Sequence, residues 1–256
     1  PGLDKLFLAG FSSAGSYLIS GNQYGAVVGG TYLRTGSGGP NDDGLNIPEG
    51  DVVINDNPSS NEYGFQAVDP VQRAIGNPNP DFVYGVTNTL TYKWVTARVQ
   101  FDASVGGDVF STTSSTLLGR GILQETDFDW FVPVVTNGLT ADGTANTKQT
   151  TANAHYWPNT GVFYDENSVY DASVMRLREI SLSLVAPSSF LNGTPFGSAS
   201  LTLSAQNIWH YAWNTPNGTN FDPEVISYGA GSNARGFDEM TGPTAKKYGA
   251  TLSLTF

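Results

Sequence analysis

The chain has 256 residues, a formal net charge of −11 and no cysteine. The negative charge argues against a nucleic-acid partner, because the phosphate backbone would be repelled. The missing cysteines exclude disulfides and thiolate metal sites. Thirty glycines, abundant hydroxyl and aromatic residues and only 14% charged residues are typical of many strands joined by polar loops. We therefore expect an all-β fold.

The first 80 residues show the least regular alternation. The stretch YGAVVGGTYLRT (24–35) predicts a strand, and the turn-rich segment GSGGPNDDGLNIPEGDVVINDNPSSN follows it. We expect 1–80 to be the top of one strand followed by a long excursion. Segment 41–57 offers Asp and Asn oxygens to calcium, but it lacks the ligand order of the known calcium loop, so turns are the favoured interpretation.

Five later stretches alternate clearly between apolar and polar residues. Bounded by the residues of their apolar faces, they are Phe82 to Tyr92, Val95 to Val105, Ile180 to Ala186, Ala199 to Ala205 and Tyr248 to Phe256. Successive strand side chains point to opposite faces, and the charged residues fall almost wholly on the polar faces. This pattern is typical of membrane-spanning strands of about 10 residues with one face toward lipid.

The connections between these strands alternate between short and very long. The first link is Lys93-Trp94 and the third has about a dozen residues, whereas the other two run from 106 to 173 and from 207 to 246. Short turns on one side and long loops on the other are typical of an outer-membrane barrel, and rare in a compact soluble domain. Five strands cannot close a bacterial barrel alone.

Residues with catalytic potential are few. Glu125, Asp127 and Asp129 alternate along one loop, and paired acids can hydrolyse glycosides, but a solvated loop face is the favoured interpretation. We expect no catalytic residue, no metal and no cofactor. Loop tryptophans among polar groups suit contact with a sugar, a peptide or a lid protein, and the alternative is that their rings pack the loops together. The chosen candidates are Trp130, Trp157 and Trp213.

Seven segments, in order along the chain, resemble one protein family. They are YGAVVGGTYLR (24–34), IGNPNPDFVYGVTNTLTYK (75–93), VGGDVF (105–110), VMRLREISLSL (174–184), SAQNIWHY (204–211), FDPEV (221–225) and YGATLSLTF (248–256). Together they resemble the C-terminal part of SusC/RagA-type TonB-dependent outer-membrane transporters.

The resemblance implies the end of a barrel of about 22 strands in the outer membrane. It implies that 1–256 is the C-terminal part of one barrel domain, with 1–80 mostly extracellular and 81–256 forming spanning strands and loops. The plug and the N-terminal barrel strands would lie outside this chain. The implied partners are those parts of the same transporter, a SusD-like lipoprotein lid, the TonB complex through the N-terminal region, and outer-membrane lipid.

The implied function is active import of nutrient oligomers, glycan or peptide. Tyr248, Leu252, Leu254 and Phe256 would serve barrel insertion and closure, because the family ends on an aromatic strand of this kind. Two alternatives remain at this point. The chain is a soluble all-β carbohydrate-binding module that buries its apolar faces in a sandwich, or a glycan-cleaving enzyme that uses the three loop acids.

Overall fold

The structure of the protein, a computed structural model, describes residues 4–11, 13–157, 164–216, 219, 221–224, 232–242 and 244–256, with the backbone alone for 11, 156 and 157. Strands dominate this part of the chain. The strands are β1 (Lys5–Phe11), β2 (Ala14–Ile19), β3 (Ala26–Gly29), β4 (Arg73–Gly76), β5 (Phe82–Tyr92), β6 (Val95–Val105), β7 (Asp108–Ser111), β8 (Pro133–Val135), β9 (Gln149–Thr151), β10 (Val169–Asp171), β11 (Val174–Val185), β12 (Ser198–Ala212), β13 (Phe237–Asp238) and β14 (Lys247–Thr255). The helices are α1 (Thr112–Gly119), α2 (Ala152–Trp157) and α3 (Ser188–Leu191).

The chain folds as two compact units. The loop unit comprises Pro1–Asn79, Gly107–Ala172 and Asn214–Thr241. The strand unit comprises Pro80–Gly106, Ser173–Trp213 and Gly242–Phe256.

The strand unit is one five-stranded sheet in the order β14-β12-β11-β6-β5, with every neighbouring pair antiparallel. Its strands are the five that the alternation predicts, and they have between 9 and 15 residues. Valine, threonine and aromatic residues fill them because such side chains fit a pleated surface. The predicted all-β, antiparallel fold is confirmed.

The first hairpin has the shortest possible connection. Tyr92 pairs with Val95, so only Lys93 and Trp94 form the loop between β5 and β6. Lys93 takes a φ of 53°, in the left-handed region that few residues other than glycine adopt. Positive φ in a two-residue loop matches the turn to the right-handed twist of the strands.

A bulge in β11 changes which residues face which side. Leu177 pairs with Phe101 and Glu179 pairs with Gln100, so Arg178 is one residue more than β6 can match. If β11 alternated strictly and had no bulge, Arg176 and Arg178 would lie on the same face as Ile180, which is the apolar face. The bulge restores the apolar residues to that face.

β12 carries a matching irregularity. Gln206 pairs with Glu179 and Trp209 pairs with Leu177, which leaves two residues of β12 opposite one of β11. Asn207 there takes a φ of 52°. The two strands therefore shift together, and their outward rows stay aligned across the bulge.

The loop unit has its own sheets and core. β1, β2, β3 and β4 form an antiparallel sheet in chain order, and β10, β7 and β13 form a second sheet. Val27, Phe110 and Phe237 are buried to 1% exposure or less and pack together. The stretch 24–35, predicted as a strand, supplies β3 and then single bridges at Tyr32 and Arg34.

A buried arginine ties the turn-rich segment of the loop unit to β4. Arg73 has a side chain only 1% exposed, and its Nε donates to Asp69 at 2.8 Å. Its two terminal nitrogens donate to the Asp42 carboxylate at 2.6 and 2.8 Å. The Asp42 carboxylate also accepts from the backbone N–H of Gly38 and Gly44. The Arg73 guanidinium holds the pKa of Asp42 well below its usual range.

Replacing Arg73 by Met should loosen the segment 38–49, because Asp42 and Asp69 would be left nearly buried without a counter-charge. We expect added protease to cut the full-length protein within this segment at least about tenfold faster. Arg120→Met removes an exposed arginine of the same unit and should leave the rate unchanged. Equal rates for wild type and Arg73→Met would contradict this account.

Candidate functional site

The strand unit presents an exposed apolar face across all five strands. Leu90 is 69% exposed and Leu252 is 66% exposed, although both belong to paired strands of the sheet. The other large exposed members of this face are Phe82, Tyr84, Val86, Tyr92, Phe101, Met175, Ile180, Leu182, Leu203, Trp209, Tyr211, Tyr248 and Leu254. Exposed apolar surface on this scale marks a face that contacts lipid or another protein.

Aromatic rings lie toward both ends of this face. Register places Tyr84, Ala103, Met175 and Tyr211 in one row across β5, β6, β11 and β12. Tyr92 lies eight residues further along β5, which is about 27 Å at the rise of an antiparallel strand. An outer-membrane barrel has an apolar band of about 25 Å between two aromatic girdles. Because barrel strands tilt by about 35–45°, about 27 Å along β5 corresponds to about 19–22 Å of band height, which is slightly less than that value.

The opposite face of the sheet is polar and carries the strand charges. Arg178 Nε and one terminal nitrogen donate to the two Asp102 carboxylate oxygens at 2.8 and 2.7 Å. Arg176, 4% exposed, lies opposite Asp102 in the register, with Nη1 at 3.6 Å from the same carboxylate. The bulge at Arg178 is what allows both arginines to reach one aspartate.

Two edges of this sheet are open. Among the residues that the structure describes, β5 pairs only with β6, and β14 pairs only with β12. Each open edge presents a row of backbone N–H and C=O groups. Such edges need a further strand, a cover or water.

The four residues predicted to serve insertion and closure lie together on or beside β14, the edge strand. Tyr248 and Phe256 are the most exposed, at 75% and 86%, and Leu252 and Leu254 lie between them on the same face. The Phe256 ring contacts Phe196 with centroids 5.2 Å apart. The structure places these residues as the sequence predicts, and their role in insertion remains a prediction.

Trp130 packs into its own loop. Its indole Nε1 donates to the Thr126 carbonyl at 3.1 Å, and its ring stacks on Phe128 with centroids 5.3 Å apart. Gly121 lies under the ring with a φ of 69°, and a Cβ at that position would approach Trp130 Cζ2 to 2.6 Å. Trp130 is half-buried, so one part of its ring remains available to a ligand.

The other two tryptophans of the prediction belong to other elements. Trp213 belongs to the strand unit and extends the outward aromatic row of β12, with its centroid 6.3 Å from Tyr211, which stacks in turn on Trp209. Trp157 is the last residue of α2, and its side chain lies outside the described part of the chain.

The alternating acids are exposed on the loop surface. Asp129 caps the following turn by accepting from the Phe131 N–H at 3.0 Å, Glu125 lies within the 3-10 turn Gln124–Thr126, and Asp127 follows that turn. In segment 41–57, Asp43 accepts from its own loop backbone. Across the described residues, no group of three or more His, Cys, Asp or Glu side chains is arranged to hold a metal ion. No helix in the described ranges is both long and apolar enough to cross a bilayer.

Comparison with known proteins gives a curated relative. No family model matches the chain. TonB-dependent receptor P3 of Formosa agariphila is 27% identical across 93% of this chain and 23% of its own length. The chain is similar to a TonB-dependent receptor. This finding confirms the resemblance that the seven ordered segments indicate.

Solved structures share the fold of this chain. The RagAB peptide importer in its closed-closed and open-open states matches all of this chain with TM-scores of 0.55 and 0.59, at 17% identity. The match covers 25% and 24% of the importer chains. Our chain thus spans about a quarter of the length of the TonB-dependent receptor and importer chains that it matches, and shares their fold over that quarter.

The charge of this receptor-like chain is divided unequally between its units. The strand unit holds 6 basic and 3 acidic residues, so the loop unit, with the remaining 6 basic and 20 acidic residues, has a net charge of −14 against +3. Sequence reasoning missed this division, because it depends on which segments fold together. It also missed Arg73 and the Arg178 bulge, although two arginines that break the alternation in VMRLREISLSL are a signal of a bulge.

Gly121→Ala should destabilise the Trp130 loop for two separable reasons. The left-handed φ costs about 1–2 kcal/mol for any residue with a Cβ, and the new methyl group would also press on the Trp130 ring. In a Trp130→Ala background only the first cost should remain, so the double-mutant cycle should show coupling. The measurement is protease cutting within 119–132 of the full-length protein. Additive effects would contradict the packing of Trp130 on Gly121.

Proposed function

We propose that this chain forms part of the barrel wall of a TonB-dependent outer-membrane transporter. The observation that supports this most directly is the five-stranded antiparallel sheet with one exposed apolar face, a polar opposite face and two open edges. A soluble carbohydrate-binding module would cover such a face with a second sheet. The similarity to a TonB-dependent receptor supports the same proposal.

The apolar face is turned to outer-membrane lipid in this proposal. β5, β6, β11, β12 and β14 are long enough to cross, because a tilted strand needs about 9–11 residues. The polar face, with Asp102, Arg176 and Arg178, lines the lumen, where charge is tolerated. The open edges pair with other barrel strands of the same transporter, since no unsatisfied edge is stable in hydrocarbon.

The loop unit is extracellular in this proposal. Its segments 107–172 and 214–241 join strands at the ends opposite the short turns, as the long loops of outer-membrane barrels do. Trp130 and Trp157 contact the imported oligomer or a SusD-like lipoprotein lid. The row position of Trp213 beside Tyr211 favours the membrane interface for that residue.

Transport is the activity, without covalent chemistry by this chain. The substrate is a nutrient oligomer, a glycan or a peptide, and the peptide importer named among the solved structures makes peptide one of these two options. The TonB complex acts through the N-terminal region of the transporter, outside this chain. Glu125, Asp127 and Asp129 lie exposed on the loop surface, which favours a solvated role over glycoside hydrolysis.

Uptake of labelled oligomers tests the function. Cells that carry the full-length protein should accumulate an oligomer that supports growth, and deletion of TonB should abolish that accumulation. A purified protein that stays monodisperse without detergent would overturn the membrane proposal. If the purified protein hydrolysed glycans, and this activity disappeared when Glu125, Asp127 and Asp129 were replaced by amides, the proposal that the chain does no covalent chemistry would be overturned.

Adjacent residues of β11 test which face meets lipid. Leu182→Arg places a charge on the apolar face near mid-strand and should destabilise the protein folded in vesicles by about 2–4 kcal/mol. Ser183→Arg places the same charge on the polar face, beside Thr202, and should cost much less. Urea titration of the refolded full-length protein measures both.

Equal costs for the two variants would contradict the assignment of faces, since they differ only in the side to which the arginine points. A larger cost for Ser183→Arg would reverse it.

A further inference from the structure

A concavity lies on the apolar face of the strand unit, at the end of the short turns. Its floor consists of Ala186 and Ala199 with Leu184 and Leu201 beside them. The Ala186 N–H donates to the Ala199 carbonyl at 2.8 Å, so the two alanines are side by side across the β11–β12 connection. Since each contributes only a methyl group, the floor lies below the neighbouring rows.

Three larger side chains form the walls. Trp94 comes from the first hairpin loop, Phe190 from α3 and Leu252 from β14, and Phe190 is 71% exposed. The concavity has a volume of about 190 Å³. A dry apolar cavity of about 150 Å³ accommodates a benzene molecule. The space therefore suits a short stretch of hydrocarbon chain.

One cation is next in sequence to a wall residue of this concavity. Lys93 immediately precedes Trp94, and its Nζ lies 5.2 Å from the ring centroid of Tyr92, which is on the apolar face. Lys93 is also the one residue with a charged side chain in the sequence segments 91–97, 183–202 and 250–256, which form this end of the sheet. A positive charge on the hairpin loop that supplies a wall of an apolar concavity complements a lipid with an anionic headgroup.

We propose that this concavity and Lys93 hold one anionic phospholipid, with an acyl chain over Ala186 and Ala199 and the phosphate at the Lys93 ammonium. The inference rests on the proposed function, which turns this face to lipid. The wall side chains offer apolar surface, and the hairpin loop that carries Trp94 offers one amine. That combination fits an amphiphile with a single negative headgroup better than it fits a peptide, whose backbone needs hydrogen-bond partners.

Native mass spectrometry of the full-length protein in mild detergent, with added phosphatidylglycerol, tests the site. Wild type should retain one lipid that Ala199→Phe loses, because the ring fills the floor. Lys93→Asn keeps a residue that tolerates the left-handed turn and removes the amine. It should weaken retention about fivefold, the equivalent of about 1 kcal/mol for one basic residue. With phosphatidylcholine, whose headgroup has no net charge, Lys93→Asn should match wild type.

Matched controls separate this site from the rest of the surface. Ala205→Phe adds the same ring to the apolar face away from the concavity, and Lys246→Gln removes a lysine near the far end of β14. Both should retain lipid as wild type does. The proposal is overturned if Ala199→Phe retains phosphatidylglycerol as well as wild type does. It is also overturned if a second copy of the protein, rather than the lipid, occupies the concavity.

Heat-modifiable mobility on gels and oligomer uptake are measured for the same proteins. If wild type inserts and transports but holds no phosphatidylglycerol at this position, the lipid site fails and the proposed function stands. If wild type neither inserts nor transports, the proposed function fails.

Discussion

The unpaired backbone of the two edge strands is the constraint on which the rest of the structure depends. β5 and β14 each present a row of N–H and C=O groups that no other described strand pairs. In water such groups find solvent, but beside hydrocarbon each unsatisfied group costs several kcal/mol. The apolar face and the open edges together are compatible with a sheet that continues into further strands, and difficult to reconcile with an independent soluble domain.

The apolar face explains why the sheet is irregular where it is. A strand with one apolar face must keep its apolar residues on one side over its whole length, and β11 contains two arginines that break a simple alternation. The extra residue Arg178 shifts the register, and the partner strand β12 shifts with it at Asn207. Both arginines then meet Asp102 on the polar face. The bulge thus keeps the apolar face continuous and allows the charge pairing at once.

The regular part of the fold could be predicted because its signal is local. All five long strands follow from alternation at period two, and the short Lys93-Trp94 turn follows from the gap between the first two. The loop unit could not be predicted in detail. Its core joins Val27, Phe110 and Phe237 from three distant segments, and Arg73 meets Asp42 across 31 residues. Such pairings depend on tertiary context rather than on a repeating pattern.

The residues of the candidate site also divide into those that a local pattern predicts and those that depend on tertiary context. Residues of β14 were predictable because a strand fixes their orientation, and the structure places them together on one face. Loop tryptophans were chosen for their chemistry alone, without knowledge of what each ring packs against. Trp130 proves to lie over Gly121, and Trp213 proves to continue a row on the sheet.

The open edges also have a consequence for biogenesis. Strands with long-range partners form late, because loop closure must precede the contacts that stabilise them. Here β6 and β11 are neighbours across a link of 68 residues, from 106 to 173, and that link includes much of a separately packed unit. A nascent sheet with exposed edges and an apolar face is also prone to aggregate. A sheet with these edges and this apolar face therefore has to be shielded while the long link folds, whatever finally covers it.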